Sequence, residues 1–391
     1  MSISHKIYTG LRGDKTIWSI VVLLALVSTF VVYSAGGSFF AITQGISPEG
    51  LLMKHVGTLA IGFVVMYIAY LLPYQRYKTL APWLLLLSVV LLVYTLANGV
   101  EINGARRWIR LPLGVTLQTS DLAKVALVLF VADRMTRFKD YIQDFQKAFL
   151  PLIVPILLVC VLVMPSDLST AVLLFVSMLF LLWIGRVNWK YLVSLVMLGL
   201  VMFSFVISLG LLFPSVIRVD TWAERIKDFV ESESIPLMDS DAPLEQIDYA
   251  RMAIAHGGFW GQGPGKSTMR NFLPASYSDF VYAILLEEYG FVGGLFVLGL
   301  YVLLLFRVIK LVTLSSKSFG AMAAMGLTIV LVLQAFSNMA VSVHLIPVTG
   351  LTLPVISKGG TSILFTCFSL GIILSVSRYV ERQHAAKRAE S

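Results

Sequence analysis

IWSIVVLLALVSTFVVYS, residues 17–34, is a run of eighteen residues without a single charge. At about 1.5 Å of rise per residue, such a run spans the ~30 Å hydrocarbon core of a bilayer as a helix. Working outward, similar apolar runs occur at 54–72, 80–97, 120–133, 148–164, 168–185, 191–213, 280–306, 319–341 and 360–377. The run at 120–133 is the shortest and opens with Asp121 and Lys124. Composition agrees: 58% of the 391 residues are hydrophobic and 13% charged, against about 25% charged in soluble domains. The expectation is an all-α integral membrane protein, one polytopic domain over 1–391, with about ten transmembrane helices.

The first run follows His5, Lys6, Arg12 and Lys15, as a signal peptide would, but exceeds a typical signal-peptide core and reads as an uncleaved helix. Cys160 and Cys367 lie inside apolar runs without spacing partners, and the five histidines show no metal-ligand spacing.

Short-loop lysines and arginines set orientation. Arg76 and Lys78, the 134–147 and 186–190 cations, Arg307 to Lys317, and the 378–391 tail fall on one side with the basic N-terminus. That side is expected to be cytoplasmic, with both termini on it. Anionic headgroups then answer the net charge of +8, and nothing in it calls for nucleic acid.

The opposite face breaks the charge rule. The loop NGVEINGARRWIRLPLGVTLQTS (98–120) carries Arg106, Arg107 and Arg110. A long extracytoplasmic loop between the seventh and eighth spans, 214–279, carries Arg218, Arg225, Lys227, Arg251, Lys266 and Arg270. Singly these are headgroup or ion-pair residues; clustered, they suggest an anionic ligand. The middle of the long loop, 231–246, is acidic and turn-rich and reads as a mobile surface segment.

Within that loop, GFWGQGPGKST (258–268) looks like a nucleotide-binding phosphate loop. The spacing fails, because the motif requires glycine at 260, where Trp260 stands, and Pro264 and Pro274 mark loop. No nucleotide is expected. The glycines still suit close backbone approach, and Lys266, Ser267 and Arg270 offer donors for phosphate oxygens. By position, Ser278 or Asp279 reads as the cap of the eighth helix. Asp121, Lys124, Asp167, Glu287 and Glu288 lie at or near membrane depth, where ionisable groups face a cavity or a partner.

Taken together and in order, NGARRWI, SDLAK, SDLSTA, GGFWGQGPGKS, LPASYSDFVYAILLEEYG and PVTGLTLPVISKGGTS resemble the SEDS family (shape, elongation, division and sporulation), the FtsW and RodA group, over nearly the whole chain. The resemblance implies ten membrane helices and a peptidoglycan glycosyltransferase that polymerises lipid II at the outer face of the bacterial inner membrane, releasing undecaprenyl pyrophosphate. It implies a class B penicillin-binding protein and other division proteins as partners. It assigns the catalytic role to Asp279 and makes Arg107, Asp121, Lys124, Asp167, Lys266, Ser267, Arg270 and Lys358 candidates for substrate binding. The chain departs from the family pattern at Tyr277-Ser278 (usually His-Thr), Asp121 (usually Glu), Ser166 to Ser169, and Lys358 (usually Tyr). GLTLP (350–354) resembles the division branch, FtsW, with RodA the alternative.

One carboxylate suffices as general base, since a departing pyrophosphate needs no proton. Arg107, Lys266 and a divalent cation such as magnesium or manganese could stabilise the leaving charge. A lipid-linked sugar flippase is the competing class, and it requires charges along the full depth of the bundle.

Overall fold

The computed structural model describes residues 13–38, 47–102, 105–110, 116–212, 219–232, 246–273, 277–314 and 319–390. In chain order these form α1 (Lys15–Gly36), α2 (Pro48–Leu71), α3 (Tyr74–Asn98), β1 (Val100–Ile102), β2 (Ala105–Arg110), β3 (Thr116–Gln118) and α4 (Thr119–Arg137). There follow α5 (Leu150–Val163), α6 (Leu168–Ile184), α7 (Trp189–Leu212), α8 (Val219–Ser232), α9 (Gln246–Gly257), α10 (Val281–Leu314), α11 (Phe319–Ser342) and α12 (Thr361–Glu390).

Every apolar run read from the sequence coincides with a helix. Among the described residues, eight helices are long and apolar enough to cross a membrane, α5 being counted with the π-helical stretch Phe145–Phe149 that runs into it. Of the other two, α6 is apolar but has 17 residues. The second, α4, carries Asp121, Lys124, Asp133, Arg134 and Arg137 and is enclosed by protein along most of its length. Its polarity is tolerable because it packs between α3 and α11 rather than against lipid.

The bundle is built around α11, where 89% of the most apolar stretch is buried, against 11% for the peripheral α7. Small residues permit this. A Cβ at Gly326 of α11 would come within 2.7 Å of Val128 and 2.9 Å of Leu181, so α4 and α6 close directly onto its backbone. Likewise a Cβ at Gly371 of α12 would lie 2.4 Å from the Met66 carbonyl of α2.

One end of the bundle collects the cations assigned above to the cytoplasmic side: Arg307 pairs with Asp14 at 2.8 Å, and Arg137 with Asp133 at 2.9 Å. The opposite end carries the functional candidates. There the 98–120 loop contains an antiparallel sheet of order β1-β2-β3, with Val100 opposite Trp108 and Ile109 opposite Leu117. The 214–279 loop contains α8 and α9, which a purely irregular reading had left out; the segment 233–245, most of its acidic middle, lies outside the described residues.

At the candidate-bearing end of the bundle α10 is broken at Gly290, whose φ of 66° and ψ of −168° interrupt the helical ladder. Carbonyls freed by the break are taken up by the glycine loop: Gln262 N donates to Glu287 O and Gly263 N to Glu288 O, both at 2.9 Å. In return Phe291 N donates to Gly258 O at 3.0 Å. The close backbone approach suggested by the glycine spacing is thus made to α10 itself. A Cβ at Gly290 would sit 2.4 Å from Gly261 N and 2.5 Å from Phe259 O, and left-handed backbone costs an L-residue about 1–2 kcal/mol. Gly290→Ala is therefore expected to destabilise the fold by roughly 2 kcal/mol or more, measured as a lowered melting temperature of the purified chain; an unchanged melting temperature would contradict this packing.

Candidate active site

Alternation along β2 sorts its arginines. Successive side chains point to opposite faces of a strand, so Arg106 turns outward to Glu101 at 3.5 Å while Arg107 turns inward. Arg107 Nε donates to the Ser166 carbonyl at 2.6 Å, and its Nη1 lies 3.4 Å from Asp167 Oδ2. Asp167 in turn caps α6, its Oδ1 accepting from Thr170 N at 3.1 Å. Across from them, Arg225 of α8 donates from Nη1 to the Val348 carbonyl at 3.1 Å. Between the two guanidiniums lies a cavity of about 360 Å³, lined also by Ser166, Ser169, Trp222, Ser337 and Thr349. Val176 of its wall is shared with an open apolar groove of about 550 Å³ between α6 and α7.

Asp279 lies behind the 347–351 wall of this cavity and is not among the residues that line it. A Cβ at Gly350, whose φ is +70°, would be 3.9 Å from its Oδ2. The position is pinned from several sides: Asn338 Nδ2 donates to the Asp279 and Leu351 carbonyls at 2.9 and 2.7 Å, and Ser357 Oγ to the Ser278 carbonyl at 2.6 Å. The first amides of α10 are accepted by the Phe280 carbonyl, so the capping place falls one residue after Asp279. Burial raises the Asp279 carboxyl above the usual carboxylate range; a hydrogen bond from Ser278 and the charges of Arg107 and Arg225 oppose this, and Asp167 adds to it. A carboxylate so held is poised to take a proton.

The remaining candidates fall into separate groups. Asp121 and Lys124 pair at 2.7 Å, and Lys124 Nζ donates to Gln334 Oε1 at 3.1 Å, beside a cavity of about 20 Å³. That is room for about one water. Ser267 gives its hydroxyl to Glu287, which also accepts from Thr268 N and Oγ1 at 3.1 and 3.0 Å. Arg270 Nη1 donates to Ser34 O and Oγ, both at 2.9 Å, and Ser34 donates to Glu288. Glu287 thus has the partners that its depth demanded, while Glu288 receives Ser34 on Oε1 and its buried Oε2 has no hydrogen-bond partner. Lys266 is exposed beyond this network. Lys358 Nζ stands 4.8 Å over the Tyr277 ring.

Sequence reasoning named Arg225 among the loop cations without setting it at this cavity, and it did not single out Asn338, Ser337 or Thr349. A signal for Arg225 exists: Trp222, Ile226, Phe229 and Val230 recur at helical spacing, which marks an amphipathic helix with its arginine beside the apolar stripe.

The model of the cell cycle protein family FtsW/RodA/SpoVE matches residues 14–382. The chain belongs to that family. It is 35% identical over 373 residues to the probable peptidoglycan glycosyltransferase FtsW of Aromatoleum aromaticum, covering 92% of this chain and 86% of that protein. To the peptidoglycan glycosyltransferase MrdB of Escherichia coli it is 30% identical over 367 residues, covering 93% of each. Among solved structures, one chain of a peptidoglycan synthase complex that coordinates polymerization and crosslinking superposes with a TM-score of 0.70 at 25% identity, covering 94% of this chain and 98% of that one. The rod shape determining protein RodA of Thermus thermophilus gives 0.66 at 25% identity, covering 94% and 97%.

The raised Asp279 carboxyl sets the sign of a stability test. Its folded value lies above the unfolded ~3.9, so its contribution to stability is present below the unfolded value and is lost as pH rises through the folded one. Asp279→Asn, which has no charge to bury, should melt at or above the wild type at neutral pH, and the difference should shrink on acidification. A variant that melts lower by a constant amount at every pH would contradict the burial argument.

Proposed function

We propose that the chain is a peptidoglycan glycosyltransferase that polymerises lipid II into glycan strands and releases undecaprenyl pyrophosphate at the outer face of the bacterial inner membrane. The observation that carries this reading is the rim cavity: two guanidiniums line it, the Asp279 carboxylate lies behind its 347–351 wall, and an apolar groove leads away past Val176. A diphosphate on a long polyprenyl chain has that form, with its charge beside Arg107 and Arg225 and its hydrocarbon between α6 and α7. Asp279 accepts the proton of the acceptor's 4-hydroxyl as its oxygen attacks the anomeric carbon of the donor. The departing diphosphate takes the electron pair and is stabilised by the two arginines.

Asp167 holds Arg107 in this role, because the ion pair and the Ser166 carbonyl fix the guanidinium plane. Asp121 and Lys124 are assigned to support: through Gln334, whose Nε2 donates to the Thr352 carbonyl at 2.8 Å, they brace the 347–357 wall. Ser267 and Arg270 hold the glycine loop on α10 and leave Lys266 to meet the headgroup from above. No group of three metal-ligating side chains exists among the described residues, so a magnesium or manganese ion would arrive with the diphosphate and find one oxygen donor in Asp167. A flippase reading is less well served, since the Asp121–Lys124 pair lies in the first turns of α4 and opens only onto the water-sized cavity.

The GLTLP stretch, with Thr352, favours the division branch over the elongation branch. A class B penicillin-binding protein is the proposed partner, alongside other division proteins, and both termini are assigned to the cytoplasm.

The reading is tested by glycan synthesis from lipid II by the purified chain, with and without such a transpeptidase. Asp279→Asn should reduce the rate by about 10²–10⁴, and the wild-type rate should fall as pH drops through the raised Asp279 value. Normal chain lengths from Asp279→Asn would remove the base from the mechanism.

A further inference from the structure

Three successive carbonyls lead up to α10, and each is taken by a different donor. Tyr277 O accepts from Lys358 N at 3.0 Å, Ser278 O from Ser357 Oγ at 2.6 Å and Asp279 O from Asn338 Nδ2 at 2.9 Å. Two of these donors come from one turn, 353–358, and that turn is tightly held. Leu353 O accepts from Ile356 N and Ser357 N at 3.2 and 2.9 Å, and Leu353 N donates to Ser357 Oγ at 2.8 Å. From outside the turn, Ser28 Oγ donates to the Ile356 carbonyl at 2.8 Å and the Tyr301 hydroxyl to the Pro354 carbonyl. Val355 within it sits at φ +69°. A β-branched residue keeps that left-handed conformation only where its surroundings over-determine it.

Lys358 extends from the end of this platform and meets Tyr277 twice. Its amide holds the Tyr277 carbonyl, and its ammonium stands 4.8 Å over the centre of the Tyr277 ring. A single hydrogen bond leaves a pivot; a second contact between the same two residues closes it. A cation within about 6 Å of a ring centre is attracted by the ring quadrupole, and more strongly where water is partly excluded. Both side chains are half-buried here, and among the described residues the ammonium has the ring face, not a carboxylate, as its partner. The charges that act on the Asp279 carboxyl are those of Arg107, Arg225 and Asp167. Lys358 therefore reaches Asp279 through the segment rather than by its field.

We propose that Lys358 is a positioning residue for Asp279: by clamping Tyr277 at two points, it sets the direction in which the carboxyl two residues further on meets the acceptor hydroxyl. The inference rests on the polymerase reading and gives Lys358 a role other than substrate binding. The parts that matter are the charge of Lys358 and the ring face of Tyr277, not its phenol hydroxyl.

The test is a double-mutant cycle on the full chain, with glycan synthesis from lipid II resolved into kcat and KM and folding checked by melting temperature. Lys358→Met and Tyr277→Leu should each lower kcat on the order of 10- to 100-fold with KM little changed. The double variant should be no slower than the slower single one, because the contact is lost only once. Lys358→Arg and Tyr277→Phe, which keep a cation and a ring face, should restore most of the rate. The acid limb of the pH–rate profile should stay in place in Lys358→Met, as a geometric effect requires. Should Lys358→Met not fold, Lys358→Gln takes its place in the cycle. A raised KM at normal kcat would make Lys358 a substrate contact, and losses that multiply in the double variant would make the two residues independent; either result overturns the proposal. Failure of the polymerase reading would be seen separately, as absence of glycan from the unaltered chain.

Discussion

Hydrocarbon supplies no hydrogen bonds, so each polar group near membrane depth needs a partner within the protein. The outer end of α10 concentrates that demand. Its helix breaks at Gly290, and two carboxylates, Glu287 and Glu288, are buried just before the break. The glycine loop serves the break with its amides and Glu287 with the Ser267 and Thr268 hydroxyls, and α1 contributes Ser34 to Glu288. With α10 anchored in this way, the segment before it is held in one position, and Asn338 and Ser357 complete the restraint. The placement of Asp279 is a consequence of how the membrane end of a helix is made soluble in its own protein.

The electrostatics of the site follow from the same economy of partners. Burial pushes protons onto Asp279, while Arg107 and Arg225 pull the other way. Neither arginine closes on Asp279 as an ion pair. Arg107 is engaged by Asp167 and Ser166, and Arg225 by Val348. On the proposed reading Asp279 stays available for a proton, and the guanidiniums remain at the cavity where an anion would enter.

Much of the helical framework was legible in the sequence because membrane helices announce themselves by length and lack of charge. The span with Asp121 and Lys124 was the hardest to read for the same reason: its polarity is affordable only because α3 and α11 enclose it. The sheet at 100–118 escaped notice although Asn103-Gly104 between alternating residues is a hairpin signal. Arg107 and Asp167 could be singled out, but their pairing could not, since it joins residues 60 apart across two loops. Arg225 was named only as one of several loop cations, because α8, which sets it at the cavity, was not foreseen. Ser267 and Arg270 were chosen for phosphate, and their donors are engaged with Glu287 and Ser34, a contact invisible without the fold of the loop onto α10.

The most direct test of the account is a structure of the Asp279→Asn chain with lipid II bound. The account predicts diphosphate density between Arg107 and Arg225, the polyprenyl chain running past Val176 between α6 and α7, and a sugar hydroxyl within hydrogen-bonding distance of residue 279. Headgroup density beside the Asp121–Lys124 pair, with the rim cavity empty, would contradict it.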